Sequence, residues 1–100
     1  MFTILWKYKV KPEYRHVFEQ EYGPDGTWAK LFSESEGYQG SYLQRSEEEP
    51  STYLLLDTWA DKAAYLGFLQ RQEKHYREQS TAFEYLYELE ELLGTYTSVD

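Results

Sequence analysis

Apolar and polar positions alternate from Phe2 to Val10 (FTILWKYKV). Phe2, Ile4, Trp6, Tyr8 and Val10 fall on one side, and Thr3, Leu5, Lys7 and Lys9 on the other. A period of two sustained over that length predicts a strand. Pro12 then suits the first turn of a helix, where its missing N–H costs nothing. From there Tyr14, Val17, Phe18 and Tyr22 recur at helical spacing. Gly23-Pro24-Asp25-Gly26 breaks or kinks this helix, Asp25 can cap a restart, and Trp28, Leu31 and Phe32 resume the stripe. Gly37 reads as a helix stop.

Tyr38 to Ser46 predicts a second strand, in which Gly40 marks a bulge or a close approach. Glu47 to Pro50 is an acidic turn. Ser51 to Ala60 carries the strongest strand signal, with Tyr53, Leu54, Leu55 and Leu56 in a row. Such a continuous apolar run suits a strand covered on both faces. Asp61 is placed to cap the next helix, whose stripe is Ala64, Tyr65, Phe68, Leu69, Gln72 and Tyr76. Helical character extends toward Phe83, Leu86 and Tyr87, and Leu89 to Val99 returns as a strand.

The order β-α-β-β-α-β predicts a ferredoxin-like α+β fold in a single domain, residues 1–100. In that arrangement a four-stranded antiparallel sheet carries both helices on one face. The other face is left bare. Tyr53, Leu55, Asp57 and Trp59 line one side of the strongest strand, and Leu54, Leu56 and Thr58 the other. A bare apolar face is uncommon on a monomer. Two sheets are therefore expected to pack face to face in a homodimer with two-fold symmetry.

Three stretches carry a family likeness: YLLLDTW (Tyr53 to Trp59), ADKAAYLGF (Ala60 to Phe68) and YGPDGTWAKLFSESEGYQGSYL (Tyr22 to Leu43). An apolar strand ending in Trp, a capped turn, and a helix with an aromatic about six residues on resembles the antibiotic biosynthesis monooxygenase (ABM) family, within the dimeric α/β-barrel group. The resemblance implies that fold and a substrate cavity between helices and sheet in each subunit. It also implies one of several activities: cofactor-independent oxygenation of aromatic polyketide phenols, haem degradation, or quinol oxygenation. Carried over, Trp59 and Tyr65 border the cavity. The chain departs from the haem-degrading branch, with Leu69-Gln70 where that helix carries His and no Asn anywhere. Leu55 stands where the polyketide branch places an amide, and Arg71 and Arg77 are the candidates for its cation.

Each candidate has two readings. Trp59 is either a large core side chain or an indole donor that orients a substrate oxygen. Tyr65 is either core or a hydrogen-bond partner for a phenol or its anion. His75 borders the stripe and is either a surface residue or a base. Asp57 lies inside an apolar strand, so its carboxylate must be paired, for instance with Lys7 or Arg45, or have a raised pKa.

Composition narrows the function classes. Of 100 residues, 11 are Tyr, 5 Phe and 3 Trp, more rings than a core of this size hides, so some should line a cavity or subunit contact. A net charge of −8 without a Lys/Arg cluster argues against nucleic acid and anionic membranes. With no Cys and two separated His, thiol chemistry and a transition-metal site are not expected. No long apolar run and no basic-then-apolar leader is seen, which makes a cytoplasmic protein the expectation.

The resulting expectation is a small homodimeric enzyme, a cofactor-independent monooxygenase acting on a phenol, anthrone or quinol with molecular oxygen as co-substrate. Trp59 and Tyr65 line its cavity, Trp28, Phe32, Tyr38 and Phe68 form apolar walls, and His75 is the candidate base. The alternative is a non-catalytic dimeric ligand-binding or stress-related domain on the same scaffold.

Overall fold

The opening alternation becomes strand β1 (Phe2–Val10), with Phe2, Ile4, Tyr8 and Val10 buried. The computed structural model describes residues 1–99. Pro12 opens a short 3-10 turn that leads into helix α1 (Arg15–Tyr22). Helix α2 (Thr27–Phe32) follows the Gly-Pro-Asp-Gly break and buries Trp28, Ala29, Leu31 and Phe32. Gly26, not Asp25, is the N-cap of α2. Strands β2 (Tyr38–Arg45) and β3 (Thr52–Trp59) come next. Helix α3 (Lys62–Phe83) is capped by Asp61, whose carboxylate accepts from the Ala64 N–H at 2.8 Å. Its path breaks at Gln72, where φ is −116° and ψ is 22°. α3 ends at Phe83, and a 3-10 turn over Glu84–Leu86 leads into β4 (Tyr87–Thr97), which begins two residues earlier than the pattern predicts.

The strands form one antiparallel sheet in the order β2-β3-β1-β4, the ferredoxin-like arrangement. The apolar run of β3 is explained by its place: it is an inner strand, paired on both sides. The core lies between the sheet and the helices and is mostly aromatic, with Phe18, Trp59 and Phe68 fully buried. Phe32 packs edge-on against Trp59 and Phe68, and Phe18 stacks on Tyr22 with ring centroids 4.3 Å apart. Gly37 lets α3 come close: a Cβ there would collide with the Ala64 Cβ. Among the described residues the opposite face of the sheet carries no helix. Leu5, Leu54 and Leu56 are only partly buried there, and Tyr42 and Tyr96 are more than half exposed.

Candidate active site

Register decides which side chains meet beneath the helices. Leu55 lies opposite Trp6, and Asp57 lies between Ile4 on β1 and Ser41 on β2. Alternate residues share a face, so Tyr53, Leu55, Asp57 and Trp59 all point toward the helices. Tyr38 and Ser41 are three residues apart, and a regular strand would set them on opposite faces. The β2–β3 register shifts between Tyr38 and Gly40, which leaves Gln39 as an extra residue and returns both side chains to the helix side. Gly40 makes the bulge possible, since its φ of 122° suits a residue without a side chain. The Thr58 hydroxyl holds it by donating to the Gly40 carbonyl at 2.7 Å.

The bulge produces a chain of three oxygens. The Tyr38 hydroxyl lies 2.6 Å from Ser41 Oγ, and Ser41 Oγ donates to Asp57 Oδ1 at 2.7 Å. Ser41 and Asp57 are both buried, at 4% and 5% exposure, and no cation pairs with Asp57 among the described residues. Burial therefore pushes the Asp57 carboxyl up to about 6, against the opposing pull of the Ser41 hydrogen bond. Neither cation considered from the sequence reaches it. Lys7 lies opposite Leu54, on the bare face of the sheet. Arg45 is committed to Glu19, at 2.8 Å.

Asp57 borders a hollow of about 20 Å³ between sheet and helices. That is room for one water molecule. Trp6, Tyr8 and Leu55 form its floor on the sheet, and Tyr22, Trp28 and Phe32 close it from α1 and α2. Tyr76 and Ser80 cover it from the half of α3 beyond Gln72, and Glu90 closes the β4 side. Tyr8 donates to Glu90 at 2.8 Å. Burial raises the phenols of Tyr8, Tyr22 and Tyr76, so all three remain protonated donors at neutral pH. Among the described residues the buried indole N–H groups of Trp28 and Trp59 make no well-formed hydrogen bond, that of Trp28 lying near the Tyr22 hydroxyl. An unsatisfied buried donor costs about 1–3 kcal/mol, which an oxygen in the hollow would relieve for Trp28.

A second concavity lies on the outer side of β2. It is an open groove of about 400 Å³ between β2 and α2, lined by Ala29, Lys30, Tyr38, Gly40, Ser41 and Tyr42 among others. Tyr38 and Ser41 thus border solvent on one side, while Asp57, the acceptor of Ser41, borders the hollow on the other.

Of the residues expected from sequence, the structure brings Trp28 and Phe32 into the wall of the hollow. Trp59 and Phe68 lie one layer behind, fully buried against Phe32. Tyr65 is partly buried and packs edge-on against Trp59 at 5.5 Å between ring centroids, and Tyr38 contacts the same indole from β2. None of these four lines the hollow itself. His75 is exposed, because Tyr76 takes the inward position on that turn of α3. Arg71 donates to Ser35 and Arg77 pairs with Glu73, both at the surface. Sequence reasoning missed Trp6, Tyr8, Tyr22, Ser41, Tyr76, Ser80 and Glu90 as site residues. Tyr8 shares the face of Ile4 and Trp6, and Tyr76 lies on the helical stripe, so the signal for these two was present. Among the described residues no group of three His, Asp or Glu is placed to hold a metal ion, and no helix is long and apolar enough to cross a membrane.

A model of the family described as antibiotic biosynthesis monooxygenase matches residues 1–82. Solved structures of similar fold cover nearly the whole chain. SnoaB, a cofactor-independent oxygenase from Streptomyces nogalater, is 19% identical, with 99% of this chain and 93% of that one covered and a TM-score of 0.74. A proposed antibiotic biosynthesis monooxygenase from Bordetella bronchiseptica is 20% identical, with 98% and 96% covered and a TM-score of 0.76. Another from Deinococcus radiodurans is 13% identical, with 100% and 94% covered and a TM-score of 0.78. At these identities the likeness is one of fold. No curated protein matches the chain at the same stringency.

Proposed function

The chain belongs to the antibiotic biosynthesis monooxygenase family, and from that premise we propose that it is a cofactor-independent monooxygenase acting on a small phenol, anthrone or quinol. The observation that carries this reading is the aromatic hollow beneath the helices with a buried, cation-free carboxylate, Asp57, in its wall. Chemistry of this kind needs a substrate whose own carbanion or phenolate passes an electron to molecular oxygen. The protein supplies orientation, deprotonation and exclusion of water. Trp6, Trp28 and Phe32 offer flat apolar surfaces, and the Trp28 N–H is a donor for a substrate oxygen. Trp59 and Tyr65 back this wall and become direct contacts once the hollow widens. His75 has no role here, since it faces outward.

A ring system needs more than about 20 Å³, so admission requires movement. The half of α3 that carries Tyr76 and Ser80 is the moving part, because the break at Gln72 separates it from the half anchored by Asp61 and Phe68. The bare sheet face, with Leu5, Leu54, Leu56, Tyr42 and Tyr96, is where a second copy of the chain packs to give a homodimer. The fold of SnoaB supports a reaction without an organic cofactor.

Oxygen uptake with an anthrone or a quinol, in air and under argon, tests the proposal. Oxygen-dependent product from the wild type and a loss of tenfold or more in Trp28→Phe are expected. Equal product from both proteins, or product without oxygen, overturns it. The small size of the hollow and Leu55 at the amide position favour a second reading, a dimeric ligand-binding domain without catalysis. Saturable binding of the same phenols with no oxygen uptake selects it.

A further inference from the structure

We propose that Tyr38, Ser41 and Asp57 form a proton path that joins the inner hollow to the outer groove, with Asp57 as the inner proton acceptor. The inference deepens the oxygenase reading, but its geometry does not depend on the substrate.

Two observations carry it. The three oxygens are linked in series at 2.6 and 2.7 Å, with one end on the groove and the other on the hollow. The polarity is also continuous: Ser41 donates to Asp57, which leaves its Oγ to accept from Tyr38. A carboxylate buried merely for packing would need no such line to solvent. A buried carboxylate that takes up protons in a water-sized hollow must shed them, and the exposed Glu90 across the hollow is the competing outlet. The other groups around Asp57 are Tyr8 from β1, Tyr65 and Tyr76 from α3, and Glu90 across the hollow on β4. The tyrosines are phenols held protonated by burial, and Glu90 already accepts from Tyr8. Among the described residues no Lys or Arg lines the hollow.

A substrate O–H or acidic C–H breaks, its electron pair stays on the substrate, and the proton forms a new O–H bond on Asp57. For release the two hydroxyls first rotate outward, Ser41 toward the Tyr38 oxygen and Tyr38 toward groove water; Asp57 then gives its proton to Ser41 Oγ, Ser41 gives its own to the Tyr38 oxygen, and Tyr38 gives its own to water in the groove. Three O–H bonds break and three form. Both hydroxyls end neutral and in the inward polarity the structure shows, Tyr38 toward Ser41 and Ser41 toward Asp57. The transfer is concerted, since burial raises the Tyr38 phenol and disfavours a free tyrosinate.

The groove end depends on the Gly40 bulge, because without Gln39 as an extra residue Tyr38 and Ser41 could not share a face.

Infrared spectroscopy after a rapid pH jump, on the full chain without ligand, reads the Asp57 carboxyl stretch directly. Asp57→Asn identifies the band. A rate of proton equilibration at least tenfold slower in Tyr38→Phe and in Ser41→Ala is expected, with the folded spectrum retained. Tyr38→Phe keeps the ring against Trp59, so its effect isolates the hydroxyl. Equilibration as fast as wild type in both variants overturns the path. A second arm repeats the jump with bound p-nitrophenol, whose absorbance reports its own ionisation. If the phenol fails to bind while the ligand-free rates still slow in both variants, the substrate reading fails and the path stands. If the phenol binds and ionises with unchanged rates in both variants, the path fails and the substrate reading stands.

Discussion

Two carboxylates of this sheet-and-helix layer sit in opposite circumstances. Glu19, on α1, accepts from the Tyr53 hydroxyl at 2.5 Å and is gripped by Arg45, and these contacts hold its pKa below the ordinary carboxylate value. Asp57, on β3, accepts from one hydroxyl and has no cation, and burial pushes it up to about 6. Both have a hydroxyl donor, so the donor is not what separates them. A guanidinium and partial exposure to water make Glu19 a clamp between α1 and the edge of the sheet. The absence of both leaves Asp57 close to neutrality in its proton affinity, which is where a group must be to exchange protons near neutral pH.

The two groups therefore push stability in opposite directions with pH. Asp57 binds its proton more tightly folded than unfolded, so its contribution is whole below its unfolded value of 3.8 and is lost as pH rises through about 6. Glu19 binds its proton less tightly folded, so its contribution is present above its unfolded value of 4.5 and is lost as pH falls through the lowered folded value. The largest expected effect comes from Asp57→Asn. The shift is worth on the order of 3 kcal/mol at pH 8, so the neutral amide raises the Tm there and changes it little at pH 4, read by thermal denaturation at the two values. Its oxygen uptake with a quinol falls with the same substitution. Stability gained together with activity lost marks a strained functional position.

Gly40→Ala follows. A Cβ at φ 122° costs about 2 kcal/mol. It also shifts Ser41 away from Asp57, so the Asp57 titration, followed by 13C NMR of the carboxyl, moves further up. An unchanged titration in a folded Gly40→Ala protein breaks the link between the bulge and the carboxylate. Glu19→Gln is smaller, about 1 kcal/mol for a weakened hydrogen bond to Tyr53. It steepens the net fall of stability between pH 4 and 6, because only the Asp57 contribution then remains there. The smallest effect is expected of Arg45→Met. This pair is largely exposed, at 56% and 33%, and salt screens it. Its Tm differs little from wild type in high salt, while the Glu19 titration moves up.

Much of this was legible in the sequence. The alternation in β1, the apolar run of β3, the Asp61 cap and the glycine in β2 each act locally, so each predicted its element. The family likeness pointed to the space between helix and sheet, where the structure has a water-sized hollow. Asp57 was legible as a carboxylate in need of either a partner or a raised pKa. Its partner was not, because pairing depends on register and on which face each side chain takes. Lys7 is on the wrong face by parity, and Arg45 meets Glu19 across the fold. Ser41 reaches Asp57 only because one extra residue changes the phase of β2. A pattern read along the chain can flag such a bulge without saying which side chains it realigns. Tyr76 rather than His75 facing inward is a difference of one position on a helix, about 100° of rotation, and composition cannot decide it.

Gln39 has an exposed side chain and bonds to nothing that the site uses. Yet it works as a spacer, like an extra tooth that turns the next gear by half a step. Among relatives of this fold, chains one residue shorter in that loop-proximal segment would keep the same outline and the same serine and tyrosine letters, yet present one of them to the opposite side. Length at this point is then a better guide to shared chemistry than identity at the positions on either side of it.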